Sequence, residues 1–477
     1  MITKQEINYS EYFKTKVLEE ICRLFFENNL EDINHLPFNI IPKGSDAQYR
    51  CCVYKERAIL KLRTLAALGY SINDVDEALP LSDYLKPENE KKYKTNNKLL
   101  TVLESACSAC VKSRFMVSEI CQECLSRKCI SACNFGAISF EDHKAHIDTD
   151  KCKNCGKCRQ ACPYNAILKL VVPCEEACPV NAIKKDGKGR ANIDHSLCIS
   201  CGKCISACPF GAIMVRRQFL DVLKLLHTKK LVALIAPSIT GQFGVPVTKI
   251  VTALKQIGFE HVFEVALGAD ITAKKEAEEF ENKLVVNKQP FMTTSCCHAY
   301  IRLVKKHLEK LKPFVSDTHT PMHYTAEIAK QLYPDSITVF IGPCLSKRKE
   351  AQEDPLVDYV LTFQELNAII NTKKINLELC KETKSEEVPS KYAREFAVVG
   401  GVTEALKHYL RIDKKFIQNE LITDLDKKNV LKLSVYADGH CKSNLIEVMA
   451  CPGGCVGGCE TVRPIKQANE DVKKFSV

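Results

Sequence analysis

Sixteen cysteines crowd into residues 101–210, and that density governs what the chain can fold into. The runs between them are short and leave little room for a hydrophobic core, so bound metal has to hold the region together. The whole chain carries 27 cysteines in 477 residues. Disulfides would require an oxidising compartment and, as a rule, a small secreted fold. The opening stretch MITKQEINYSEYF has neither the basic nor the apolar segment of a signal peptide. No apolar run approaches the roughly 18 residues of a membrane span, and LVALIAP (231–237) has only core-strand length. The thiols therefore read as metal ligands in a reducing cytoplasm, with no membrane partner.

At this length two to four domains are expected, from a prior of roughly 100–200 residues each. Residues 1–100 read as a helical N-terminal region. EYFKTKVLEEICRLFFENN and ERAILKLRTLAALGY both repeat apolar residues at helical spacing. The lysine-rich KPENEKKYKTNNK (86–98) reads as a linker. Residues 101–216 form the cysteine-rich region. From 217 to 477 the composition becomes that of an α/β domain, with KLVALIAP, SITVFIGP, FAVVGG and LIEVMA as candidate strands between helical segments.

The cysteine region contains two complete C-x2-C-x2-C-x3-C-P runs: Cys152, Cys155, Cys158, Cys162, and Cys198, Cys201, Cys204, Cys208. This is the bacterial ferredoxin run, whose first three thiolates bind one 4Fe-4S cube while the fourth reaches a neighbouring cube. Each run needs a partner. Cys121, Cys124, Cys129 and Cys133 form one with a lengthened middle spacing, and Asn134 where the proline belongs. Cys174 and Cys178 supply half of the other, with Cys107 and Cys110 in CSAC as its distant first half. Swapped pairing then predicts four cubes. One is held by Cys121, Cys124, Cys129 and Cys162, and a second by Cys152, Cys155, Cys158 and Cys133. A third falls to Cys198, Cys201, Cys204 and Cys178, and the last, by elimination, to Cys107, Cys110, Cys174 and Cys208.

Metal also changes the meaning of the charge. The formal net charge of +10 counts every cysteine as neutral. A cube with four thiolates carries about −2, so five cubes cancel about ten positive charges and nucleic acid is not an expected partner.

Three further cysteine segments, TTSCCHAY (293–300), IGPCLSKRKE (341–350) and EVMACPGGCVGGCE (447–460), each follow an apolar run. Strand ends are where α/β folds gather ligands. In these motifs, their order and their distances, residues 101–465 resemble FeFe hydrogenases, whose signatures are TSCCPxW, PCxxKxxE and MxCxxGCxxGG. The GPC of the second motif is similar to the monomeric clostridial-type branch. The resemblance implies a multidomain α+β and α/β architecture: ferredoxin-like modules followed by a two-lobed α/β catalytic domain. It implies an H-cluster, a fifth cube joined by one thiolate to a diiron azadithiolate unit with CO and cyanide ligands. Matching positions make Cys297, Cys344, Cys451 and Cys455 the cube ligands, with Cys455 the bridge. Lys347 matches a charge-assisted donor to one cyanide. Ala236, Pro237 and Ser238 match the contacts to the other, and Met449 a packing residue beside the bridging CO.

A proton route to solvent is implied too. Cys296 matches the family's first proton carrier, Glu276 and Glu279 its carboxylates on one helix face, and Ser316 the hydroxyl between them. The expected reaction is 2H+ + 2e− ⇌ H2 under anaerobic, cytoplasmic conditions. Electrons would come from a ferredoxin or similar small carrier, and the diiron unit from dedicated maturation machinery. The alternatives are an H2 or redox sensor, an iron–sulfur assembly protein on the same domain, and a plain electron-transfer subunit.

The sequence departs from the family in several places. His298 replaces a proline and Tyr300 a tryptophan. Gly342 stands where many relatives place a methionine, and Met322 is expected to refill that space. GGCET introduces Cys459 four residues after Cys455, as a thiol near the cofactor or a packing residue. Cys22, Cys51, Cys52, Cys380 and Cys441 read as buried or incidental thiols.

Overall fold

The computed structural model describes residues 8–94, 97–107, 110, 114–226 and 228–476. Residues 1–7 of the stretch read for targeting signals, 95–96 of the lysine-rich stretch and 108–109 of CSAC lie outside the described residues.

The first helix, Tyr9–Phe26, starts where the Asn8 side chain accepts from the Ser10 and Glu11 N–H groups. Its apolar stripe of Val17, Leu18, Ile21 and Leu24 packs on helices Val53–Ala67 and Phe363–Thr372. The N-terminal helices therefore share one continuous core with the region beyond residue 217. The stretch read as a linker is instead partly helical, over Pro87–Tyr93. Proline at its start, glutamates in its first turn and lysines in its last favour a helix, and buried Tyr93 anchors it against Tyr84 at 5.6 Å between rings.

The cysteine-rich region is built from short antiparallel pairs. Arg114–Val117 pairs with Ile167–Leu170 around one hairpin, Ile138–Glu141 with Lys144–Ile147. Leu100–Val102 pairs with Ile213–Val215 around another, Ile183–Lys185 with Ala191–Ile193. Both complete cysteine runs use the same backbone device. Gly156 and Gly202, each at φ +79°, turn the chain into the short helices Lys157–Ala161 and Lys203–Ala207. In the lengthened copy, Arg127 at φ +42° absorbs the extra residues before helix Lys128–Ser131.

Beyond residue 217 every strand pairs in parallel. One sheet has the order His261–Glu264, Leu231–Ile235, Ile337–Gly342, Tyr359–Thr362. The other has Met292–Thr293, Leu445–Met449, Asn419–Thr423. FAVVGG is not a strand. Its chain turns through Glu395–Ala397 and, after an isolated bridge from Val398 to Gly454, reaches Gly400 at φ +87° to start helix Gly401–Tyr409. The run is too short to pair between two helices.

Arg217 sits where these parts meet. Its N–H donates to the Ala66 carbonyl at 3.2 Å. Its guanidinium donates to Thr362 Oγ1 at 3.1 Å and lies 3.3 Å from Glu365 and 2.8 Å from Glu460. All three charged side chains are buried. Replacing Arg217 by Met leaves Glu365 and Glu460 buried with less compensation, at a cost of about 3–5 kcal/mol. Urea unfolding followed by circular dichroism should show a lowered midpoint for Arg217→Met; an unchanged midpoint would remove this network from the account of stability.

Candidate functional site

Four loops leave the C-terminal ends of four parallel strands and meet. Leu231–Ile235 leads to Ala236, Pro237 and Ser238, and Met292–Thr293 to Cys296 and Cys297. Ile337–Gly342 leads to Cys344, and Leu445–Met449 to Cys451 and Cys455. Together they line one largely apolar cavity, with Lys347 and Met449 also on its wall. Every residue matched to the H-cluster in the sequence is thus brought to a single place. Cys455 has its surface open to the cavity although it lies deep in the protein.

The thiols feel one another. Burial first, then Cys297, pushes Cys344 up to about 11. Burial, then Cys297 and Cys344, pushes Cys455 up to about 12. Only bound cationic metal makes such a nest of thiolates favourable. Among the described residues, no three His, Cys, Asp or Glu side chains converge as a single metal ion would need.

Lys347 is largely buried, its side chain 14% exposed. Desolvation works against its charge, but Glu350, 2.7 Å away, more than offsets that and raises the ammonium's pKa. The buried Ser238 hydroxyl has no hydrogen-bond partner. Besides Cys201 and Cys296, the cavity therefore presents the four matched thiols, one ammonium and one unsatisfied hydroxyl within apolar walls. That donor set fits a thiolate-bound cube carrying a diiron unit with anionic ligands.

Cys296 also lines the cavity, its thiol pushed far up by burial and by nearby Glu276. Glu276 is buried on helix Ala266–Glu281. Its Oε1 accepts from the Ser295 N–H at 2.9 Å and the Ser295 hydroxyl at 3.0 Å, while Oε2 has no partner. Ser316 donates to Glu279 Oε2 at 2.6 Å and stands close enough to Glu276 to act on it as well. Glu279 lies 2.6 Å from Lys283, and Lys283 lies 3.3 Å from the exposed Asp317. Burial raises Glu279, but Lys283 and Ser316 outweigh it and hold its pKa low. Lys283 and Asp317, at the outer end, were not singled out in the sequence.

Several wall residues carried no motif signal. The Phe340 ring occupies the space beside Gly342, where an added Cβ would meet it at 2.6 Å. Met322 lines the cavity, as does Phe340. Phe396 and Ala397, in the stretch read as a strand, are also on the wall. His298 is buried beside Glu350, its pKa pulled to about 3 by burial and then by Lys347. Cys459 is absent from the cavity wall. It packs on Gly202, near Cys201, Cys204 and Cys344.

Thirteen of the sixteen cysteines between residues 101 and 210 gather in four neighbourhoods. Cys129 feels Cys124 and Cys162, and Cys158 feels Cys152 and Cys133. Cys204 feels Cys201, Cys198 and Cys178, and Cys174 feels Cys208 and Cys107. The backbone N–H groups of Ala137, Ala182 and Ala212 point at Cys133, Cys178 and Cys208 at 3.4, 3.1 and 3.4 Å. Donors of this kind favour metal-bound thiolate sulfur. Cys201 lies on the cavity wall.

Residues 229–459 match the profile of the iron-only hydrogenase large subunit, C-terminal domain. Residues 173–212 match a 4Fe-4S dicluster domain and 145–168 a 4Fe-4S binding domain. Iron hydrogenase 1 of Clostridium pasteurianum is 29% identical over 303 residues, 52% of this chain and 53% of the relative. The NADP-reducing hydrogenase subunit HndD of Solidesulfovibrio fructosivorans is 28% identical over 272 residues, 45% of this chain and 46% of its own. A probable cytosolic Fe-S cluster assembly factor of Drosophila melanogaster is 23% identical over 267 residues, 44% of this chain and 55% of its own. The chain spans about half the length of these curated relatives. Among solved structures, an FeFe-hydrogenase from Chlamydomonas reinhardtii covers 51% of this chain and 83% of its own, with TM-score 0.43 and 22% identity.

Burial pushes the Glu276 carboxyl up to about 7 from an ordinary 4.5, so the folded state binds the proton more tightly. The stability this gives is complete below about pH 4.5 and is lost as pH rises through 7. Glu276→Gln removes the titration and should be more stable than the parent at pH 8, by about 3 kcal/mol. Denaturant midpoints measured from pH 5 to 8 test this; parallel profiles for the two proteins would mean that Glu276 is ionised throughout.

Proposed function

We propose that this protein is an FeFe hydrogenase of the monomeric clostridial type, catalysing 2H+ + 2e− ⇌ H2. The observation that carries the reading is the convergence, on one cavity, of four cysteines from three separate motifs with Lys347 and the first member of a proton relay. Similarity of residues 229–459 to the iron-only hydrogenase domain supports it independently.

In this reading Cys297, Cys344, Cys451 and Cys455 hold the cube, and Cys455 bridges to the diiron unit. The bound H-cluster supplies the redox chemistry of H2. The chain does the rest. Lys347 and Ser238 donate to the anionic ligands and fix their orientation, while Ala236, Pro237 and Met449 keep the site dry. Cys296 Sγ holds a proton at the cavity, kept as a neutral thiol by burial. Glu276 Oε2, unpartnered, takes that proton next. Ser316 Oγ passes it to Glu279, and Lys283 and Asp317 open the route to solvent. With Glu279 held low and Glu276 near 7, proton affinity rises inward, so a proton entering at Glu279 runs downhill to Glu276 and outward release is the uphill direction.

The four ferredoxin-like cubes would supply the electron path, and Cys201, on the cavity wall, would hold the nearest of them. A ferredoxin or similar carrier delivers them, maturation machinery supplies the diiron unit, and the reducing cytoplasm suits so many thiols. The assembly-factor relatives favour a second reading, in which the domain binds cubes without a diiron unit. The relay is what that role does not need.

H2 evolution from reduced viologen, before and after loading reconstituted protein with a synthetic diiron azadithiolate complex, separates the two. Activity should appear only after loading; failure to retain the complex would favour the assembly reading. Cys296→Ala should keep its iron but lose about 10²–10⁴-fold in turnover, the usual weight of a positioned proton-transfer group. Near-parental turnover would remove Cys296 from the mechanism.

A further inference from the structure

The helices before residue 100 have no place in the mechanism so far, yet they bury a charge. Arg63, on helix Val53–Ala67, is 4% exposed. Its Nη2 donates to the Phe210 carbonyl at 3.3 Å, while Nη1 has no hydrogen-bond partner. Arg50 donates to the same carbonyl at 3.5 Å and to the Ala106 carbonyl at 3.2 Å, with its guanidinium 5.5 Å from the Phe210 ring centre. Phe210 follows Cys208 by two residues, and Ala106 immediately precedes Cys107. Arg50 therefore ties together the two chain segments that carry Cys107 and Cys208, about a hundred residues apart, and Arg63 holds the second of them.

A guanidinium is not left buried without compensation. Burial and the like charge of Arg50 pull the Arg63 pKa down to about 10. The opposing groups that face it are Glu11 and the Cys208 thiol. Glu11 is already engaged, with Lys14 at 2.7 Å and Gln364 at 2.9 Å. Lys185 adds a third cation, 3.9 Å from Cys107 Sγ, and Glu175 is the carboxylate near Cys174. Glu56 accepts the Arg50 N–H at 2.9 Å, so its carboxylate is also at hand, and a thiolate-bound cube would add further negative charge facing the two guanidinium groups.

We propose that Arg50 and Arg63 form a cationic clamp from the N-terminal helices that positions, and raises the reduction potential of, the cube held by Cys107, Cys110, Cys174 and Cys208. This rests on the cluster assignment proposed above. Reduction adds negative charge to a cube, and a neighbouring cation in a low-dielectric setting favours the reduced form. The clamped cube shares a module with the one built around Cys201 at the cavity, so it stands directly behind it on the electron path. A raised potential makes it a store that keeps an electron within reach of the catalytic site. The arginines are positioning residues; they touch carbonyls rather than reacting atoms.

The test is iron and sulfide analysis with redox titration followed by EPR on reconstituted full-length protein. Parent, Arg63→Gln, Arg63→Lys and Arg50→Gln are compared. Arg63→Gln and Arg50→Gln should shift one cube to a more negative midpoint and leave the other cubes unmoved. Arg63→Lys, which keeps the charge, should stay near the parent. Full iron with unchanged midpoints in Arg50→Gln and Arg63→Gln overturns the clamp while leaving the cube in place. A parent protein one cube short in iron removes the cluster assignment itself. Should Arg63→Gln fail to fold, Arg50→Gln decides.

Discussion

A single buried guanidinium joins the pieces of this molecule. Arg217 reaches the end of an N-terminal helix through its N–H, the cap of helix Phe363–Thr372 through Thr362 and Glu365, and the last cysteine loop through Glu460. Glu365 also holds Arg348 at 2.5 Å, on the helix that follows Cys344. Glu460 in turn donates its N–H to the Pro343 carbonyl at 3.2 Å. Two of the three cysteine motifs around the cavity are thus referenced to one charge network that no water reaches. In a low dielectric such a network is stable only when all its members are present and oriented, so the spacing of the cavity loops depends on it.

Much of this was legible in the sequence, for identifiable reasons. Cysteine spacing is a local rule, so the ferredoxin-like runs could be read directly, and in the fold Cys129 lies near Cys162, Cys158 near Cys133, Cys204 near Cys178 and Cys174 near Cys208. Strands such as Leu231–Ile235 and Leu445–Met449 announce themselves because burial on both faces demands unbroken apolar runs. The motif positions all arrive on one cavity because each sits at a strand end.

What escaped the sequence was set by packing between distant segments. FAVVGG has strand composition, but its neighbours on both sides are helices and it bridges only at Val398. The lysine-rich stretch looked unstructured because its single anchor, Tyr93, finds a partner in Tyr84 rather than in its own surroundings. Phe340, two residues away on the same strand and the same face, lies against Gly342, a contact the motif comparison did not point to. Lys283 and Asp317 sit in ordinary polar stretches, and only the fold reveals that they close the path from Glu279.

Cys459 and Gly202 occupy one shared volume. Gly202 needs its positive φ to turn the cysteine run, and a Cβ there would collide with the Cys459 sulfur. The cysteine-rich region and the α/β region that follows it are therefore not interchangeable parts. A cysteine-rich module transplanted from another protein would fit this α/β region only if it brought a glycine at the same turn. Equally, this module would sit loosely on a partner whose last loop offers glycine in place of Cys459. The interface between the two regions is keyed at this point by a sulfur atom, and chimeras that ignore the key should be judged first on that contact.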